Sequence, residues 1–98
     1  MIDDPQQVNE RIEEEYHGIT LGKGTTHRQH LPKDALLEHD LYETVVDMVV
    51  TQHDKSITVT DVEIDSQGRF VVPKKKASLY GFEAGEPISV FVDRVVLR

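Results

Sequence analysis

The fold of this chain is indicated most clearly by residues 62–73, which read VEIDSQGRFVVP. Residues 62–65 alternate apolar and polar side chains, as a half-buried strand does. Residues 66–68 are a turn signal ending in glycine, and residues 69–72 predict the next strand. Pro73 then suits the first position of a helix, because its fixed backbone angle is helical and its missing N–H needs no partner there. The stretch therefore predicts strand, turn, strand and helix in succession.

The same succession continues to the end of the chain. Residues 74–79 predict a short helix, and residues 84–87, which contain glycine and proline, predict a turn. The apolar residues 88–92 and 95–97 predict two strands, and we expect them to form a hairpin around residues 93–94.

A weaker copy of this order precedes it in the chain. It predicts strands at residues 19–21 and 26–31, a helix at 33–39, and strands at 44–52 and 57–59. Each predicted helix follows an apolar residue and a proline. The order strand, strand, helix, strand, strand thus occurs twice.

The repeat predicts how the two copies combine. Arg28 of the first copy aligns with Arg69 of the second. One copy alone would leave sheet edges with unpaired backbone groups, whereas a barrel closes them. We therefore expect a mostly β protein with short helices. Two ββαββ units, residues 18–60 and 61–98, would form one pseudo-twofold barrel over residues 18–98.

Residues 1–17 form a separate acidic segment that carries most of the negative charge. Asp4 and Pro5 resemble a helix start, and apolar residues then recur every four positions at Val8, Ile12 and Tyr16. We expect a short helix at residues 5–16. It either packs on the barrel or on a second copy, or it competes with nucleic acid for a basic face.

Length and composition limit the classes of protein to consider. The chain has 98 residues and a net charge of −7, and it contains no cysteine, which excludes disulfides and thiolate metal sites. Its N-terminus lacks the apolar core of a signal peptide, and residues 45–50, the longest apolar-rich stretch, are too short to span a membrane. We expect a single-domain cytoplasmic protein. The acidic balance argues against strong nonspecific nucleic-acid binding but allows a local basic face.

Residues 65–74, DSQGRFVVPK, resemble the start of the AbrB-like (SpoVT-AbrB, MazE-like) swapped-hairpin domain. The resemblance continues through residues 79–82 and the turn at 84–87; it covers residues 61–98 well and residues 19–60 poorly. It implies a swapped-hairpin barrel of the cradle-loop type, usually interleaved from two chains and here duplicated within one. RIFT and double-psi barrels also place two such halves in one chain, and the sequence leaves these topologies open.

The resemblance implies a transcriptional regulator that binds duplex DNA, or an antitoxin, with no cofactor. The DNA contacts that it implies are Arg69, Lys74, Lys75 and Lys76, with Arg28 and Lys33 as the weaker half. The first half departs from the pattern where His27 stands for Gly68. On the residues alone, the lysine cluster is more typical of a solvated helix face, and only the resemblance favours phosphate contacts.

The alternative function is a protein-interaction module on a barrel that has lost DNA contact. Residues 1–17 or an exposed hairpin edge would then bind a protein partner, in the manner of an antitoxin, or a second copy. One contiguous positive face would favour DNA, whereas lysines scattered among acids would favour a protein partner.

Other chemistry finds little support in the sequence. The histidines lack the helical spacing of a zinc site, so we expect surface histidines and no metal; they are His17, His27, His30, His39 and His53. The loop at residues 22–26 lacks the first glycine of a phosphate loop. No serine, histidine and acid arrangement is placed for catalysis, so we expect no enzyme activity.

Overall fold

The computed structural model describes residues 6–22 and 28–98 of the chain. Within them the elements follow in the order β1 (Gln7–Thr20), β2 (Arg28–His30), α1 (Lys33–Glu38), β3 (Thr44–Gln52), β4 (Lys55–Ile64), β5 (Arg69–Val71), α2 (Lys74–Leu79) and β6 (Pro87–Leu97). This part of the chain is mostly β with two short helices, which confirms the predicted fold class at that level. Residues 23–27, and with them His27 and most of the loop at residues 22–26, lie outside the described residues.

The predicted elements with the strongest local signals are confirmed. β3 occupies the predicted residues 44–52, and its residues alternate between buried and half-buried positions along its whole length. α2 has the predicted bounds, and α1 ends one residue before the predicted end at residue 39.

The predicted N-terminal helix at residues 5–16 is wrong. From Gln7 onwards the chain is the extended strand β1, which pairs antiparallel with β6. The apolar residues behind the helix prediction, Val8, Ile12 and Tyr16, are half-buried against the core. A spacing of four fits two periods of a strand as well as one turn of a helix, so the pattern alone does not separate the two. Pairing with β6 decides for the strand, because a short isolated helix has little stability of its own. The helix start at Asp4 and Pro5 lies outside the described residues.

The predicted hairpin at residues 88–97 is also wrong, because β6 runs without interruption through residues 93–94. A two-residue hairpin turn needs positive φ angles, and neither Asp93 nor Arg94 has one. Both β1 and β3 pair with β6 on either side of these residues, with register shifts instead of a turn. Similarly, the strands predicted separately at residues 57–59 and 62–65 are one continuous strand, β4, which ends at Ile64.

The strands form two sheets, and the described residues form no closed barrel. The large sheet is antiparallel with the order β1-β6-β3-β4, and the small one pairs β2 with β5. β1 and β4 are thus edges of the large sheet and do not pair with each other. The strands β2 and β5 have only three residues each and pair with one another. β2 contacts β1, and β5 contacts β4. The small sheet therefore lies between the two edge strands of the large sheet without adding a strand to it.

One hydrophobic core joins both sheets and both helices. Alternate residues of β3 and β6 face it, and Phe70 of β5 is its largest fully buried side chain. Leu36 of α1 and Ala77 of α2 are buried in the same core. Since burial of a large apolar side chain contributes about 1.5–3 kcal/mol, this core holds the small sheet and the helices in place.

Candidate functional site

The turn between β4 and β5 is organised by one carboxylate. Asp65 Oδ1 accepts hydrogen bonds from the backbone N–H groups of Arg69 and Gln67, each 2.9 Å long. Asp65 Oδ2 accepts a 2.9 Å hydrogen bond from Arg69 Nε. The backbone hydrogen bond from Arg69, together with the hydrogen bond from Gln67 and the Arg69 guanidinium, lowers the pKa of Asp65. Asp65 therefore stays ionised and fixes the orientation of the Arg69 side chain.

Arg69 projects into a cleft of about 510 Å³ between the end of β1 and the small sheet. This Arg69 cleft is lined by His17, Gly18, Ile19, Thr20, Gln29, His30, Leu31, Pro32 and Arg69. His30 of β2 lies directly opposite Arg69 of β5 in the small sheet. Directly opposed residues of an antiparallel pair have Cβ atoms about 5 Å apart, so these two side chains are neighbours.

Two of the polar residues that line the Arg69 cleft form hydrogen bonds within the protein that stabilise the fold. The Gln29 side chain accepts a 2.9 Å hydrogen bond from the Gly22 N–H and donates a 3.1 Å hydrogen bond to the Phe70 carbonyl. His17 Nδ1 lies 2.8 Å from Ser89 Oγ, which ties the end of β1 to β6. Arg69 and His30 are thus better placed than these residues to contact a ligand.

The predicted lysines lie on α2, and they do not all have the same surroundings. Lys74 and Lys75 are exposed and, with Ser78 and Leu79, line a shallow depression of about 450 Å³, which we call the α2 surface. Lys76 instead donates a 2.7 Å hydrogen bond from Nζ to the Thr58 carbonyl and so ties α2 to β4. The α2 surface is therefore separate from the lining of the Arg69 cleft.

Of the two residues predicted for the weaker half of the site, Lys33 and Arg28, only Lys33 has a described side chain. Lys33 is exposed at the start of α1, where Asp34 follows it. The Arg28 backbone pairs with Val71 at one end of the small sheet, and its side chain lies outside the described part. Sequence reasoning missed His30 and Thr20 as cleft residues, because strand pairing and not any local motif brings them beside Arg69.

The described arginine side chains each pair with a carboxylate. These pairs are Arg11–Glu13, Arg69–Asp65, Arg94–Asp93 and Arg98–Glu10. The last is bidentate, with Arg98 Nε and Nη2 each 2.9 Å from a Glu10 oxygen, and Nη2 also donates to the His39 carbonyl at 2.8 Å. Arg98 thereby joins β1, the end of β6 and the end of α1. The hydrogen bonds that Arg98 donates to Glu10 lower the pKa of Glu10 and raise the pKa of Arg98.

Residues 6–22 and 28–98 contain no group of three or more histidines and carboxylates that could hold a metal ion. No helix among these residues is both long and apolar enough to cross a membrane.

Comparison with known proteins supports the fold and leaves the family open. The solution structure of PHS018 from Pyrococcus horikoshii is similar, with a TM-score of 0.74 and 19% sequence identity; the alignment covers 89% of this chain and 97% of that one. At this identity the likeness concerns the fold alone. No family model matches the sequence, and no curated protein matches it.

Proposed function

We propose that this protein is a DNA-binding transcriptional regulator of AbrB-like type that contacts duplex phosphates through the α2 surface. The observation that carries the proposal is the pair Lys74 and Lys75, which are exposed side by side on a short helix in a depression that no carboxylate lines. Lysine ammonium groups on a projecting helix suit phosphate oxygens, which receive most protein–DNA hydrogen bonds.

The finer fold that belongs to this proposal is a pseudo-twofold swapped-hairpin arrangement of the two halves. Hydrogen bonding supports it, because Leu36 N–H donates to Pro32 O and Leu41 N–H to Leu36 O around α1. Around α2, the corresponding bonds run from Ala77 to Pro73 and from Phe82 to Ala77. When the halves are taken as the observed units β1-β2-α1-β3 and β4-β5-α2-β6, the first strand of each half also pairs with the last strand of the other, β1 with β6 and β4 with β3.

Electrostatics limits how such a protein could bind. The net charge of −7 repels phosphates overall, and the described arginines are paired with carboxylates. The exposed lysines must therefore supply the attraction, and the two contacts of the α2 surface predict modest affinity that falls with salt at a slope of about −1.8 in log affinity against log salt. Arg69 would add a contact at the Arg69 cleft, where only its Nε is engaged by Asp65. A cytoplasmic location follows from this function and is part of the proposal.

Fluorescence anisotropy with a labelled duplex at low salt tests the proposal. The variant Lys74→Gln/Lys75→Gln removes two charges from the α2 surface and leaves Lys76 bonded to Thr58. The control Arg11→Gln/Arg94→Gln removes two charges on the paired strands β1 and β6. We expect the first variant to lose at least about tenfold in affinity and the control to lose much less. Equal losses would mean that net charge alone matters, and no binding by the wild type would exclude DNA.

A protein-interaction module is the second candidate, and exposed apolar residues favour it. Leu79 of α2 is 83% exposed and the neighbouring Tyr80 is 47% exposed. Val71, shortly before α2, is also exposed. An exposed apolar group next to lysines fits a protein partner, antitoxin-like or a second copy, better than it fits phosphate. Light scattering of wild type and Leu79→Ser tests the second copy: a dimer that the change converts to a monomer supports pairing through α2.

A further inference from the structure

The lining of the Arg69 cleft contains no carboxylate, although the chain as a whole has a net charge of −7. Its basic or titratable residues are Arg69, His17 and His30, and two carboxylates lie next to the cleft: Asp65 pairs with Arg69, and Glu15 Oε1 lies 3.5 Å from His17 Nε2. A cleft of about 510 Å³ also falls in the range of small-molecule sites. Its lining therefore favours an anionic ligand.

The hydrogen bonds around Arg69 leave its outer nitrogens available. Asp65 engages only Nε, and within the described residues no hydrogen bond uses Nη1 or Nη2. The charge of Asp65 is also shared, because its Oδ1 accepts two backbone N–H groups. Asp65 thus holds the guanidinium in one orientation while two NH₂ groups can donate to a ligand, and charge-assisted hydrogen bonds of this kind to phosphate are strong.

His30 supplies a second donor next to the guanidinium. It lies opposite Arg69 in the small sheet, lines the same cleft and is exposed. A neutral imidazole still offers one N–H donor, and a protonated one offers two. Ile19 and Leu31, both buried in the core, supply apolar lining to the same cleft. An anion held by Arg69 and His30 could therefore carry an organic group against that lining.

We propose that the Arg69 cleft binds a phosphate group, with Arg69 and His30 as the contact residues and Asp65 as the residue that positions Arg69. The phosphate belongs either to a small organic phosphate ester or to a DNA backbone. The site is independent of the lysine contacts proposed above, because Lys74 and Lys75 line the α2 surface and not this cleft.

Nuclear magnetic resonance titration of the intact protein with inorganic pyrophosphate tests this site, with sodium chloride at matched ionic strength as the control. We expect saturable shifts of the backbone amide signals of Thr20, His30 and Arg69 with pyrophosphate and none with chloride. Arg69→Gln and His30→Ala should each weaken binding about tenfold or more, since the first removes the guanidinium charge and the second removes the imidazole donor. Lys74→Gln/Lys75→Gln should leave it unchanged.

The two single variants keep the test valid if one of them disturbs the fold. Arg69→Gln loses its bond to Asp65, whereas His30→Ala changes an exposed side chain, and dispersion of the amide signals reports folding for both. The absence of saturable shifts at millimolar pyrophosphate would overturn the proposal. So would binding that survives both cleft variants but disappears in Lys74→Gln/Lys75→Gln.

Competition with unlabelled duplex identifies the source of the phosphate. Displacement of pyrophosphate by the duplex, observed at the Thr20 and His30 signals, would assign the cleft to the DNA backbone. Continued pyrophosphate binding in the presence of duplex would assign it to a small phosphate ester. The second result would hold even if the α2 surface failed to bind DNA, so the two proposals fail separately.

Discussion

Gly68 and Leu36 are in such close contact that a Cβ atom at position 68 would overlap the Leu36 side chain. A Cβ atom on Gly68 would lie 2.3 Å from Leu36 Cδ1 and 3.3 Å from Leu36 Cγ, and Gly68 has a φ of +83°. Leu36 is fully buried and has little room to move away. The Asp65–Arg69 turn and α1 are thereby locked together, which fixes one side of the Arg69 cleft.

This contact predicts that Gly68→Ala destabilises the protein by about 2 to 4 kcal/mol, the sum of backbone strain and overpacking. Gly18→Ala is the matched control, since Gly18 also has a positive φ, +74°, but no atom lies within 4 Å of a Cβ built there. It should lose only about 1 kcal/mol. Urea unfolding measures both, and equal losses would show that Leu36 moves aside at no cost.

The bidentate pair of Arg98 and Glu10 predicts a pH-dependent contribution to stability. The hydrogen bonds from Arg98 hold the pKa of Glu10 in the folded protein below its ordinary value of 4.5. Folding therefore favours the ionised carboxylate, and this contribution is present above pH 4.5 and lost as the pH falls through the folded-state pKa. Because Glu10 is about half exposed, the contribution is below about 1 kcal/mol.

Urea unfolding at about pH 7 and about pH 3 checks this contribution in wild type and Glu10→Gln. The wild type should be the more stable protein at the higher pH, and the difference should vanish at the lower one. Glu63→Gln removes the same charge elsewhere and corrects for the general effect of charge. A difference that is the same at both pH values would contradict the assignment to the Arg98 pair.

The hydrogen bonds of the uncharged Gln52 side chain should contribute more to stability than the Arg98–Glu10 pair does. It is buried at the end of β3, where its Nε2 donates to the Glu83 carbonyl at 2.9 Å and its Oε1 accepts from the Glu83 N–H at 2.6 Å. Gln52→Leu should cost about 1 to 3 kcal/mol, because the Glu83 backbone groups lose both partners. Gln67→Leu, at an exposed position, should change thermal stability little. Similar losses in both variants would mean that water replaces the glutamine.

Sequence reasoning succeeded where a structure depends on neighbouring residues and failed where it depends on distant ones. The proline before each helix and the alternation in β3 are local signals, and they predicted α1, α2 and β3 closely. The spacing of Val8, Ile12 and Tyr16 fits helix and strand alike, and only pairing with β6 distinguishes them. The polar pair Asp93-Arg94 looked like a turn because its pairing with β1 and β3 is tertiary.

In the candidate site too, some features depend on local sequence and others on tertiary packing. The exposure of Lys74 and Lys75 agrees with a helix that begins after Pro73, which the sequence predicted. The separation of Lys76, which bonds to the Thr58 carbonyl, depends on how α2 packs against β4. The position of His30 opposite Arg69 depends on the pairing of two three-residue strands, for which the sequence carries no local signal.

The salt dependence of duplex binding tests the central claim most directly. Each phosphate contact changes the slope of log affinity against log salt by about 0.9, so Lys74→Gln/Lys75→Gln should reduce the slope by about 2 relative to wild type. Arg11→Gln/Arg94→Gln, on β1 and β6, should leave the slope near that of wild type. A wild-type affinity that is flat from low to high salt, or a slope that the α2 change leaves untouched, would contradict DNA binding through Lys74 and Lys75.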